Sequence, residues 1–106
     1  MNLVEYVDDR GRSPFGEWFD RLPPATAARI VTGLARMEAE NLTNAKAIGG
    51  GVSEYRMDFG PGFRIYFGRD GKELILLLAG GTKRRQDADI RAAQRRWQDY
   101  KARKAR

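Results

Sequence analysis

The fold is decided by the stretch GVSEYRMDFGPGFRIYFGRDGKELILLLAGGT, residues 51–82, which reads as three consecutive β-strands. Apolar and polar side chains alternate on both sides of the Gly-Pro-Gly turn at 60–62, as in strands that bury one face. The Asp-Gly pair at 70–71 is typical of a tight β-hairpin. Residues 74–79 are apolar at every position, which indicates a central strand covered on both faces. The stretch therefore predicts an antiparallel meander.

Helical signals precede the meander. Residues 3–8 read as a short first strand, and Ser13-Pro14 is typical of a helix start because Ser caps the helix and Pro suits its first turn. Two prolines at 23–24 end this helix and begin a second one, so we expect a helical hairpin whose apolar stripes pack on the meander. Residues 41–51, which end in three glycines, read as a loop.

A third helix is predicted after the meander, from about residue 86 to about residue 101. Its narrow apolar stripe consists of Ile90, Ala93, Trp97 and Tyr100. Gln86 and Asp89 stand near its start, where polar and acidic side chains commonly cap helices. The basic tail at 101–106 is expected to fray. The predicted order β-α-α-β-β-β-α describes a single α+β domain over residues 1–106.

The composition restricts the chemistry that the chain can perform. Its 106 residues include neither Cys nor His, which excludes disulfides, thiolate zinc sites and the commonest base near neutral pH. The first residues do not resemble a signal peptide, and the longest apolar run, at 74–79, falls far short of the roughly 20 residues that span a membrane. We therefore expect a cytoplasmic protein that uses no metal and no cofactor.

Charge is distributed unevenly along the chain. The net charge is +6, yet residues 83–106 carry ten basic and three acidic side chains, an excess of seven. A basic segment of this kind favours a polyanionic partner, either a nucleic acid or an acidic protein. It is equally typical of a solvated helix face that aids solubility.

The polar face of the meander holds the candidate chemistry. Alternation places on it Glu54, Arg56, Asp58, Arg64 and Tyr66. One interpretation is a cross-strand ladder of ion pairs on a solvated surface. The other is an anion site, because the apolar strand leads into a Gly-Gly-Thr-Lys segment at 80–83. There the glycines would let a ligand approach the backbone and Lys83 would add a cation. Arginine suits phosphate because its planar guanidinium donates two parallel hydrogen bonds.

Several short elements occur in a fixed order along residues 51–94. They are Glu54-x-Arg56, Gly60-x-Gly62-x-Arg64-x-Tyr66, the Leu-rich strand, Gly80-Gly81-x-Lys83, Gln86 and Asp89-Ile90. Nearer the N-terminus, a Leu-Pro turn is preceded by Ser13-Pro14-Phe15 and Trp18-Phe19. In order and spacing, from Leu3 to Tyr100, the chain resembles the RelE/ParE superfamily of bacterial toxins. It is most similar to the HigB-like branch, often labelled addiction module killer protein.

The resemblance implies a RelE-like fold and the toxin of a type II toxin–antitoxin pair. RelE- and HigB-type toxins are endonucleases that cleave mRNA on the ribosome and so inhibit translation. Their antitoxin, typically a small helix-turn-helix protein in this branch, binds and neutralises them. ParE-type relatives share the fold but inhibit DNA gyrase and are not nucleases. A basic nucleic-acid-binding module without toxicity is a third interpretation.

Candidate site residues follow from the same resemblance. Arg56, Arg64 and Lys83 would contact the phosphate and stabilise the charge that develops when a 2′-OH attacks it. Tyr66 would stack on a base or transfer a proton. Further substrate or rRNA contacts are expected at Arg84, Arg85, Arg91, Arg95 and Arg96. The histidines of HigB-type sites have no counterpart here, so proton transfer stays open between Lys83 and Tyr66, assisted by a neighbouring carboxylate.

Overall fold

The computed structural model describes residues 1–105 and contains a five-stranded sheet with helices on both faces. The elements are β1 (Asn2–Glu5), α1 (Pro14–Asp20), α2 (Pro24–Glu38), β2 (Ala45–Gly49), β3 (Val52–Met57), β4 (Phe63–Asp70), β5 (Leu74–Thr82) and α3 (Gln86–Lys104). The strand order is β1-β5-β4-β3-β2, with β1 parallel to β5 and the remaining pairs antiparallel. The α+β fold with a helical hairpin, a meander and a closing helix is confirmed, and it is compatible with the RelE-like fold.

The two faces of the sheet bury different clusters. Helices α1 and α2 cover one face, where Phe15 and Ile30 pack against the inward side chains of the meander. Helix α3 covers the other face, where Trp97 is the largest apolar side chain that it contributes. Strand β5 supplies side chains to both clusters. The prediction that residues 74–79 form a central strand covered on both faces is therefore confirmed.

Both predicted helix starts are present. The hydroxyl of Ser13 accepts a hydrogen bond from the Gly16 N–H at 2.9 Å and thereby caps α1, while Pro14 occupies its first turn. Helix α2 begins at Pro24 and buries Ile30 and Met37 against the sheet. Gly33 is buried at this contact, and a Cβ there would overlap the end of the Met57 side chain of β3, which would have to move.

The prediction that residues 41–51 form a loop is wrong in part, because residues 45–49 form the edge strand β2. Its sequence, Ala-Lys-Ala-Ile-Gly, contains a single β-branched residue, so local propensity gives little strand signal. The strand exists because the edge of β3 offers unpaired backbone groups, with Lys46 standing opposite Glu54. Sheet pairing therefore overrides the local preference.

The last helix extends beyond its predicted end. It runs to Lys104, one turn past residue 101, and the Lys104 ammonium donates to the Asp70 carboxylate at 2.6 Å. Tyr100 donates its hydroxyl proton to the same carboxylate at 2.5 Å. The fraying predicted for 101–106 is therefore wrong for residues 101–104, which are helical. Arg106 lies outside the described part of the chain. Within residues 1–105, no helix combines the length and apolarity needed to cross a membrane.

We expect the stability contributed by Asp70 to disappear in acid. The ammonium of Lys104 and then the Tyr100 hydroxyl hold the pKa of Asp70 below its ordinary value of 3.8. A carboxyl whose pKa is lowered in the folded state stabilises the fold above its unfolded-state pKa, and this effect is lost as the pH falls through the lowered value. Urea unfolding should thus separate wild type from Asp70→Asn at pH 7, and the difference should vanish in strong acid.

Asp20→Asn serves as the control because it removes an exposed carboxylate at the end of α1. An equal pH dependence in wild type and Asp70→Asn would contradict this role of Asp70.

Candidate phosphate site at the open end of the sheet

Two candidate residues meet at one backbone carbonyl. The Gly62 oxygen accepts a hydrogen bond from the Lys83 N–H at 2.9 Å and another from Arg64 Nη1 at 2.9 Å. This convergence follows from the meander, because β4 begins where its antiparallel neighbour β5 ends. Arg56 stands directly opposite Arg64 on β3. The sheet therefore brings Arg56, Arg64 and Lys83 to the same end.

Arg64 is held almost entirely inside the protein. Its side chain is 6% exposed, and its Nε lies 3.7 Å from Oε2 of Glu54, a carboxylate that is itself 1% exposed. This separation makes an ion pair without a hydrogen bond, since Arg64 Nε has no hydrogen-bond partner within residues 1–105. Glu54 also accepts a hydrogen bond from Gln86 at 3.0 Å and lies 3.7 Å from the Lys46 ammonium. The network fixes the Arg64 guanidinium in place and balances its charge.

Gly62 is required for this arrangement. Its φ of +79° lies in the left-handed region, and an added Cβ would stand 3.1 Å from Arg64 Nη1. We expect Gly62→Ala to lower the free energy of unfolding by about 1–2 kcal/mol through backbone strain and to displace the guanidinium. Gly71→Ala is the matched control, because Gly71 has a φ of +71° with open space around it.

Both alanine variants should lose similar stability in urea unfolding. Only Gly62→Ala should also weaken the activity or anion binding of the site. Equal functional loss in the two variants would contradict the positioning role of Gly62.

Tyr66 does not join the other candidates at the surface. Its side chain is fully buried under α3, beside Trp97, and its hydroxyl has no hydrogen-bond partner in the described chain. Burial raises the pKa of Tyr66, and the nearby carboxylates of Glu54 and Asp89 raise it further. The phenol therefore remains protonated at neutral pH, and this conformation does not expose its ring to a base. This geometry does not support the stacking role, whereas the proton-transfer role stays a prediction.

The remaining cations differ in exposure. Lys83, Arg84 and Arg85 are exposed on the single 3₁₀ turn that joins β5 to α3. Arg91 and Arg95 are exposed on α3. Arg96 is half-buried, and its Nη1 donates to the Leu78 carbonyl at 2.9 Å, so it joins α3 to β5. Burial lowers the pKa of Arg96 from its ordinary value.

Within residues 1–105, no side-chain hydrogen bond caps the start of α3, so the capping role predicted for Gln86 is wrong. Gln86 instead donates to Glu54. Asp89 lies in the first turn, where its charge suits the helix dipole as predicted. Asp89 packs over Gly81, where any Cβ would overlap its carboxylate, and burial raises the pKa of Asp89. The Trp18 ring lies against Gly80 in the same way. These glycines therefore admit neighbouring side chains of the same chain, whereas the sequence had suggested a ligand.

Sequence reasoning missed three cations near the site. Lys46 lies on the unpredicted strand β2. Arg29 and Arg36 lie on α2 and line a groove that also includes Arg56. Their spacing of seven residues, two helical turns, places them on one face and was the available signal.

The strand, helical hairpin, meander and closing helix form an α+β fold that is compatible with the RelE-like fold. Residues 17–98 match the sequence profile of the family described as phage-derived protein Gp49-like (DUF891), so the chain belongs to that family. The Gp49-like family is associated with toxin–antitoxin modules. An uncharacterised protein of Haemophilus influenzae is 35% identical over 81 residues, which cover 76% of this chain and 82% of that protein.

Proposed function

We propose that the protein is the toxin of a type II toxin–antitoxin pair and acts as a ribosome-dependent mRNA endonuclease that inhibits translation. The observation that carries this proposal is the position of Arg64, buried between Glu54 and the Gly62 carbonyl and flanked by the exposed cations Arg56 and Lys83. A phosphate bound by the exposed Arg56 and Lys83 would meet Arg64 at the small part of its side chain that stays exposed, and this arginine does not have to be ordered when the substrate arrives.

The reaction is cleavage of RNA by its own 2′-oxygen. The 2′-oxygen gives its proton to a neighbouring carboxylate, for which the exposed Asp58 is the candidate, and forms a bond to the adjacent phosphorus. The bond from phosphorus to the 5′-oxygen breaks, and the leaving oxygen gains a proton. The products are a 2′,3′-cyclic phosphate and a 5′-hydroxyl. Arg64 and Arg56 stabilise the negative charge on the crowded phosphate. Lys83 is exposed at the same end of the sheet and is the candidate donor to the 5′-oxygen.

The exposed arginines provide docking surfaces outside the reacting centre. Arg84, Arg85, Arg91 and Arg95 lie on α3 or the turn before it and bind rRNA phosphates in this proposal. Membership of a family associated with toxin–antitoxin modules supports an antitoxin as a second partner. A small helix-turn-helix protein is the expected form of that antitoxin. A short reading frame of this kind beside the gene would support the pairing.

The proposal is tested by expressing the chain in cells, following growth and translation, and mapping the 5′ ends of transcripts. Codon-phased cuts are expected for the wild type and should be lost in Arg64→Ala and Lys83→Ala. Lys83 is exposed, so its variant should remain folded, and Arg10→Ala removes an exposed arginine elsewhere as the control. Intact messages together with gyrase–DNA breaks would instead indicate a ParE-like inhibitor. Normal growth would indicate a basic nucleic-acid-binding module without toxicity.

A further inference from the structure

A cationic groove lies on the other side of β3 from the Glu54 network. It has a volume of about 340 Å³ and is formed by one face of α2 and the end of β3 beyond its pairing with β2. Its lining includes the polar and aromatic side chains Arg29, Arg36, Asn44, Arg56, Asp58 and Phe59. Three arginines and one aspartate give this lining a net charge of +2, so the groove is suited to an anion.

The three arginines are available to a ligand. The ion pairs found within residues 1–105 involve other side chains, so none of these guanidinium groups is neutralised by a carboxylate within 4.0 Å. Arg29 stacks on the Phe59 ring, with its guanidinium carbon 3.9 Å from the ring centroid. Stacking fixes the plane of a guanidinium and leaves the N–H groups on its edge free to donate. Arg29 is therefore partly ordered before any anion binds.

The groove is built into the fold and is not formed by surface side chains alone. The buried Gly33 of α2 faces Met57 of β3, and a Cβ at this position would displace the end of the methionine side chain. Arg29 and Arg36 flank this contact on the same helix face, separated by two turns. The close packing brings both arginines beside the end of β3, where Arg56 is exposed.

Arg56 connects the groove to the candidate phosphate site. It lines the groove and also stands opposite Arg64 in the register of β3 and β4. We propose that the groove binds the phosphodiester backbone of single-stranded RNA, in the segment next to the phosphate that is attacked at Arg64 and Lys83. This inference rests on the proposed nuclease function and extends it, because it states that the mRNA runs from the end of the sheet along the groove beside α2. Planar arginine forks match phosphate oxygens in pairs, and such contacts position a strand without reading its sequence.

The test measures binding separately from cleavage. The probe is a short fluorescein-labelled oligouridylate whose 2′-oxygens are all methylated, so that attack by the 2′-oxygen is blocked. Fluorescence anisotropy gives its affinity for the full chain over a series of salt concentrations. The groove variant is Arg29→Gln with Arg36→Gln. The control is Arg10→Gln with Arg21→Gln, which removes the same charge from exposed positions outside the groove.

The groove variant should bind the probe more weakly than the control at low salt. The plot of log affinity against log salt should become shallower, its slope smaller in magnitude by about 0.7 for each phosphate of the single strand that the variant no longer neutralises. The control should keep the wild-type slope. Equal slopes in the two variants would overturn the proposal. It would also be overturned if the groove variant lost affinity for an oligoglutamate peptide and kept its affinity for RNA, because the groove would then bind an acidic protein segment.

The two proposals fail in different ways. If the wild type makes codon-phased cuts but the groove variant keeps the wild-type salt slope, the proposal that the groove binds RNA is overturned and the nuclease proposal stands. A reduced slope in a chain that produces no cuts would overturn the nuclease and support the groove as an RNA-binding site.

Discussion

Glu54→Ala is expected to lower the free energy of unfolding by about 3–5 kcal/mol, the usual cost of removing one partner from a buried ion pair. The variant leaves Arg64 almost fully buried without the carboxylate that balances its charge. It also deprives Gln86 of its acceptor. Urea unfolding followed by tryptophan fluorescence measures the loss. Lys46→Ala is the matched control, because Lys46 lies at the same 3.7 Å from Glu54 but is 60% exposed, where an ion pair contributes about 0–1 kcal/mol.

A double variant separates stability from function at this pair. Glu54→Leu with Arg64→Met replaces both charges by apolar side chains, a change that is often neutral or stabilising in a buried site. Stability should therefore recover toward the wild-type value while transcript cleavage stays abolished, because the cation proposed to bind the phosphate is absent. If Glu54→Ala cost no more than Lys46→Ala, the pair would contribute little to the fold. If the double variant still cleaved RNA, Arg64 would not be the phosphate ligand.

The meander could be predicted because each of its signals is local. Alternation over residues 51–67 fixes which side chains share a face, and the turns at 60–62 and 70–71 fix where the strands reverse. Antiparallel pairing then brings Arg64 and Lys83 to one end without any knowledge of the helices. The sequence alone could therefore predict that Arg64 and Lys83 lie at the same end of the sheet.

The sequence analysis did not predict that α3 packs on the polar face of the meander, because the periodicity of a strand does not show which element packs on it. Glu54 and Tyr66 looked solvated, yet α3 buries both. A signal was nevertheless present. Residues 74–79 predicted a strand that is buried on both faces. The helical hairpin packs on one of these faces, so α3 was the remaining element that could pack on the other. The glycines at 51 and 68 were a second signal, because both make room for the Trp97 ring.

Trp97→Ala is expected to lower the free energy of unfolding by about 3–5 kcal/mol. The ring is 6% exposed, lies against Gly68 and Gly51, and stacks on Tyr100 with the centroids 5.5 Å apart. Any Cβ at either glycine would overlap the ring, so the surrounding backbone is shaped around it and cannot readily fill the cavity. Chemical denaturation measures the loss, and amide exchange should accelerate in β4, which α3 covers.

Two controls determine whether this loss comes from the packing of α3 on the sheet. Trp97→Phe keeps an aromatic ring at the site and should lose less stability than the alanine variant. Arg91→Ala changes an exposed residue of the same helix and should stay within about 0.5 kcal/mol of the wild type. If Trp97→Ala resembled Arg91→Ala, α3 would not be anchored by this ring. The burial of Glu54 and Tyr66 would then need another cause, because Trp97 is the largest apolar side chain that α3 places on that face.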